Sequence, residues 1–151
     1  MFDPTKPKPT GEAAYRFIID MSEVANDPDC LPIDAKDGKC RIAITPEKRV
    51  VMYPCRDYSL LNFVCIHKDE YGEPTEGWDS ESSVEAVLST YSIFSPQILN
   101  MLKKASNVKC WQLLQRDLID SWVKGKVVLI GDAAHPMLPR KIPSFKIREA
   151  D

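Results

Sequence analysis

Close to its C-terminal end the chain runs Gly131-Asp132-Ala133-Ala134-His135-Pro136-Met137-Leu138-Pro139, directly after the apolar stretch Val127-Val128-Leu129-Ile130. A carboxylate at the end of a rigid strand is a fixed hydrogen-bond acceptor. Gly131, Ala133 and Ala134 are small, so the backbone around Asp132 can approach a bound molecule closely. Pro136 and Pro139 stiffen the segment that follows. Asp132 and His135 also invite comparison with a Ser-His-Asp hydrolase. That chemistry needs a serine on a strained strand-to-helix turn, and the chain contains no G-x-S-x-G. His135 therefore reads as a structural member of the motif. The remaining soft or metal-seeking side chains are Cys30, Cys40, Cys55, Cys65, Cys110 and His67. They form no CxxC pair and no Cys/His cluster, so no metal site is expected. Reduced cysteines packed as small hydrophobes are expected instead.

Composition narrows the classes further. The chain has 151 residues, of which 44% are hydrophobic and 28% charged. That is enough for one domain with a real core, and it argues against wholesale disorder. A net charge of -2, with scattered Lys and Arg, supplies no basic field for nucleic acid. Trp78, Trp111 and Trp122 have no basic company and a spacing that reads as core rather than as a base-stacking surface. The uncharged stretch Tyr91 to Leu102 is too short and too polar to cross a membrane. Met1 to Pro9 lacks the apolar run of a signal peptide. The expectation is a cytoplasmic protein with neither a nucleic-acid nor a membrane partner.

Asp132 has to be carried on a folded frame, and the hydrophobic periodicity outlines one. Pro4, Pro7 and Pro9 favour a flexible, extended arm over residues 1 to 9. Ala13 to Asp20 reads as a strand. A short helix over Glu23 to Asn26 follows, with Ser22 as its cap and Asp27-Pro28 as its break. Cys40 to Thr45, Arg49 to Tyr53 and Leu60 to Ile66 are three strands joined by short turns, which requires antiparallel pairing. Ser82 or Ser83 caps a helix whose stripe is Val84, Val87, Leu88 and Tyr91. Pro96 opens another, Gln97 to Ala105. Lys109 to Leu114 returns to strand. Lys126 to Ile130 is apolar throughout, a pattern suited to a strand buried on both faces of an α/β sheet. No other strand of such a sheet is found in this chain.

The stretch Trp122 to Pro139 closely resembles the "GD" flavin motif of class A FAD-dependent aromatic monooxygenases. Trp111-Gln112-Leu113, Arg116 and Trp122 resemble the segment leading into that motif. Val50-Val51-Met52-Tyr53-Pro54-Cys55-Arg56, with Asn62 in the next strand, is similar to the mid-domain pattern of salicylate hydroxylase-like members. Thr10-Gly11 with Ala14-Tyr15-Arg16 resembles the first strand of the same substrate domain. The resemblance implies an α+β fold: an antiparallel sheet with helices, forming a substrate domain over residues 10 to 124. One strand and loop of the FAD domain would follow over 125 to 139. It also implies FAD, with Asp132 accepting hydrogen bonds from flavin ribityl hydroxyls, Gly131 and Ala133 close by, and Pro139 against the isoalloxazine ring. NAD(P)H would be the co-substrate, and O2-dependent hydroxylation of a small aromatic ring the reaction. Arg16 and Tyr53 match positions that contact substrate in some members. Arg16 could pair with a phenolate or carboxylate, and Tyr53 could hydrogen-bond the substrate hydroxyl. Ordinary readings stand beside these: Arg16 as a strand-end charge, and Tyr53 as a half-buried sheet residue.

The chain departs from the family pattern in three places. It has no G-x-G-x-x-G after a strand, the loop that seats the ADP pyrophosphate. It has no middle "DG" motif. After Pro139, residues 140 to 151 contain no glycine and read as an unrelated tail. The expectation is a fragment that lacks its FAD-domain half, which a separate chain could supply. Residues 126 to 151 would then be poorly anchored, and the antiparallel sheet best formed. The alternative reading is a non-catalytic product acting as a small binding or interaction module.

Overall fold

The computed structural model describes residues 6–69, 79–117 and 119–134. Trp78, His135, Pro136, Pro139 and the tail from 140 lie outside them. The fold is α+β. Its elements in chain order are β1 (Lys8–Asp20), α1 (Met21–Ala25), a 3-10 turn (Ala35–Asp37), β2 (Arg41–Ile44), β3 (Arg49–Cys55), β4 (Leu60–Lys68), β5 (Asp79–Glu81), α2 (Val84–Thr90), α3 (Pro96–Leu102), β6 (Ser106–Gln115), β7 (Val123–Lys124), β8 (Val127–Val128) and a second 3-10 turn (Gly131–Ala133). Six strands form one sheet in the order β2-β3-β4-β1-β6-β5. The pairs β2/β3, β3/β4, β1/β4 and β5/β6 are antiparallel, as the short connections of the first two require.

Residues Gly11–Gln112 form one compact unit. Its core follows from strand alternation. In β1, Tyr15, Phe17 and Ile19 are buried, while Arg16, Ile18 and Asp20 are exposed. The register sets Tyr15 beside Cys65, Phe17 beside Phe63 and Ile19 beside Leu61. It extends the rows to Val50 and Met52 of β3. Phe17 and Phe63 stack with centroids 4.9 Å apart. Met21 and Val24 of α1, Val87 of α2, Tyr91, and Ile98, Met101 and Leu102 of α3 complete the cluster. One face of the sheet is thus closed by helices.

The helix ends show local causes. Ser83 accepts a hydrogen bond from the Ala86 N–H at 3.2 Å and starts α2. Pro96 stands in the first turn of α3, where its missing N–H costs nothing. The first helix begins at Met21, two residues ahead of the expected start, and Ser22 lies inside it rather than capping it. The Met21 N–H donates to the Ser59 carbonyl at 2.9 Å, so a neighbouring loop satisfies one of the first-turn donors that have no partner within the helix.

Of the described residues, 6–10 and those from Leu113 to Ala134 fall in a second unit. Here the structure corrects two expectations. Lys8 and Pro9 belong to β1 rather than to an arm. Thr10 Oγ1 donates to the Leu113 carbonyl at 2.8 Å, and Lys8 pairs with Asp117 at 2.6 Å. Pro9 precedes Glu12, the first residue paired with β4, so its missing N–H breaks no rung of that ladder. The second correction concerns the apolar run at Val127. Rather than a strand buried on both faces, it forms a two-residue strand paired with Val123-Lys124 across a turn. Val123, Val127, Val128 and Ile130 are exposed, Ile130 to 77%.

Candidate functional site

The face of the sheet turned away from the helices carries the polar residues that alternation expels from the core. Within Gly11–Gln112 it holds a cleft of about 370 Å³ lined by Arg16, Phe17, Ile18, Asn62, Ser106, Asn107, Lys109 and Trp111. That volume lies within the usual range for small-molecule sites. Three separate strands supply the lining. Arg16 and Ile18 come from β1, Asn62 sits opposite Ile18 on β4, and Lys109 and Trp111 are alternate residues of β6. Asn107 has a left-handed backbone with φ 49°, a conformation that Asn tolerates better than most residues.

The chemistry of the cleft is one-sided. It contains two cations, three neutral polar residues and one indole, and none of its lining residues is acidic. The Arg16 guanidinium carbon stands 5.0 Å from the centroid of the Trp111 ring, within cation–π range. Such a site suits a planar ligand that carries negative charge and hydrogen-bonding groups.

Tyr53 lies on the same open face but outside the cleft lining. It stands opposite Asn62 in the β3/β4 register and is 40% exposed. Of the two side chains singled out from the sequence, Arg16 is therefore in the cleft and Tyr53 is one strand beyond it. Asn107, Lys109, Ser106 and Ile18 were not singled out. The alternation of Val108 (buried) with Lys109 carries the signal for one of them, but its neighbours across the sheet come from distant sequence.

Two buried polar groups sit elsewhere in the unit. His67 stacks on Tyr15 at 4.4 Å and has Tyr91 Oη 3.3 Å from its Nδ1. Burial pushes the Tyr91 hydroxyl and the Cys65 thiol well above their ordinary pKa values, so both stay protonated. Arg49 pairs with Glu12 at 3.2 Å. These groups hold polar atoms inside the fold. Among the described residues no three His, Cys, Asp or Glu side chains gather as a metal site would need. No described helix is long and apolar enough to cross a membrane.

In the other unit, Gly131, Asp132 and Ala133 form the second 3-10 turn. Gly131 has φ 57°, and nothing lies within 4 Å of where a Cβ would stand. Asp132 is exposed, and the Ala134 N–H closes the turn on the Gly131 carbonyl at 3.0 Å. A carboxylate is thus offered from a backbone with open space beside it.

No protein-family model matches the chain. FAD-dependent monooxygenase atnJ of Arthrinium sp is 35% identical over 134 residues, 88% of this chain and 31% of that protein. FAD-dependent monooxygenase cfoG of Aspergillus candidus is 34% identical over 130 residues, 83% of this chain and 30% of that protein. The chain is a homologue of the FAD-dependent monooxygenases. This homologue is also 31% identical to 6-hydroxynicotinate 3-monooxygenase of Pseudomonas fluorescens over 148 residues, 92% of the chain and 34% of that enzyme. It spans about a third of the length of the curated relatives it matches. A salicylate hydroxylase substrate complex has the same fold, with a TM-score of 0.71 over 91% of this chain and 35% of that one, at 23% identity.

Proposed function

We propose that this homologue provides the substrate-binding face of an FAD-dependent monooxygenase that hydroxylates a small aromatic ring with NAD(P)H and O2. The observation that carries the reading is the acid-free cleft on the open sheet face, in a chain whose relatives are FAD-dependent monooxygenases. Arg16 binds the anionic group of the substrate, and the Tyr53 hydroxyl bonds its ring hydroxyl from the edge of the cleft. Trp111 and Ile18 supply apolar surface and exclude water. Gly131, Asp132 and Ala133 fit a flavin: the carboxylate accepts hydrogen bonds from ribityl hydroxyls, and the open, left-handed glycine admits the cofactor to the backbone. Pro139, outside the described residues, is assigned to the isoalloxazine ring by resemblance. When bound, FAD supplies the hydride acceptance and oxygen activation that side chains cannot.

The test is a titration of the folded chain with FAD, followed by NAD(P)H oxidation under O2. Tight binding with oxidation supports the enzyme. Absence of both from a sample with intact circular dichroism favours the second reading, a non-catalytic binding module. That reading draws on the exposed Val123, Val127, Val128 and Ile130. Activity that emerges only on mixing with a separate nucleotide-binding chain supports complementation.

A further inference from the structure

Arg16 brings its charge into a cleft where none of the lining residues is a carboxylate that could neutralise it. What it meets is the indole of Trp111, 5.0 Å from ring centroid to guanidinium carbon. An arginine is a long side chain, and fixing it when a ligand binds weakens that binding by the rotamer entropy lost. Contact with an indole face restricts the guanidinium before any ligand arrives. Trp is the strongest ring for this, and guanidinium the more weakly hydrated of the two protein cations. The interaction consumes no oxygen acceptor, so N–H donors remain for a bidentate carboxylate. Lys109, two residues from Trp111 on the same strand, also lines the cleft, with Glu81 opposite it on β5.

We propose that Trp111 is a positioning residue. It holds Arg16 in the cleft, and through Arg16 the cleft selects an aromatic anion over the neutral ring of the same shape. The inference rests on the reading of this cleft as the substrate site. Trp111 does not act on the ligand's charge itself; its effect runs through the arginine.

The experiment is calorimetric titration of the full chain with salicylate and with its uncharged isostere salicylamide. It compares wild type, Trp111→Phe, Trp111→Leu and Arg16→Gln, each checked by circular dichroism. Wild type binds salicylate about tenfold or more tightly than salicylamide, as a charge-assisted hydrogen-bonded pair requires. Trp111→Phe retains most of that preference. Trp111→Leu and Arg16→Gln cut that preference to about threefold or less. A Trp111→Leu protein that keeps the full preference overturns the proposal. Equal binding of both probes to wild type overturns it as well, but leaves the cleft standing as a ligand site. Failure of both probes to bind the folded chain overturns both readings. One measurement needs no variant. The Arg16 Nε–H resonance in wild type is displaced upfield by the indole ring current, and a random-coil position for it sinks the idea.

Discussion

At the scale of single residues, two features lead to measurable outcomes. Asp27 accepts a salt bridge from Lys104 at 2.8 Å and a hydrogen bond from the Asp29 N–H at 2.9 Å. The Lys104 hydrogen bond, aided by that N–H, holds the Asp27 carboxyl below its ordinary value of 3.8. A carboxyl depressed in the folded state binds protons less readily there than in the unfolded chain. Its stabilisation is therefore full above the ordinary value and is lost as pH falls through the depressed one. Asp27→Asn removes that contribution, so its urea midpoint falls less than the wild-type midpoint between about pH 6 and about pH 3. An equal fall in both proteins refutes the assignment. The second feature is the turn between β3 and β4, where Arg56, Asp57 and Tyr58 have φ of 49°, 54° and 64°. Left-handed backbone is costly for a side chain with a Cβ. Arg56 is exposed, and the Ser59 hydrogen bonds go to its backbone carbonyl, so Arg56→Gly keeps the contacts. It should raise stability by about 0.5–1 kcal/mol in thermal unfolding. In Cys-Arg-Asp-Tyr-Ser only Asp57 is of a type that tolerates left-handed backbone, so three such residues in a row are not legible there.

Individual elements were legible where their pattern is local. The β2 to β4 meander, the α2 stripe and the proline that opens α3 all follow from spacing within about a dozen residues. β5 was not legible, because Asp79-Ser80-Glu81 is polar and becomes a strand only by pairing with β6. The cleft was legible in part. Arg16 and Asn62 stood out by resemblance, yet their meeting with Lys109 and Trp111 depends on a sheet order that no short window of sequence encodes. Within the meander, Phe63 is fully buried and stacked on Phe17. Phe63→Ala should cost ~3–5 kcal/mol in denaturant unfolding, a large share of the ~5–15 kcal/mol typical of a domain. A loss below about 1 kcal/mol would show that the two rings do not anchor the sheet.

For the whole molecule, the two units differ in how their strands are supported. β4 lies between β1 and β3 and is paired along its length, whereas β8 pairs only through Val127 and Val128. Amide exchange should therefore be slowest in 49–66 and fast in 126–131, read by hydrogen–deuterium mass spectrometry. The reverse order would mean that the hairpin is the stable part. A last consequence comes from the parity of β1. Odd positions Tyr15, Phe17 and Ile19 face the helices, and even positions Arg16 and Ile18 face the cleft. Two demands on residues 15 to 20 are thereby written on alternate letters. Under the proposed function, drift at 16 or 18 changes what the cleft accepts while the letters that hold the domain together stay untouched. New ligand preferences are then within reach of single substitutions that the fold never registers.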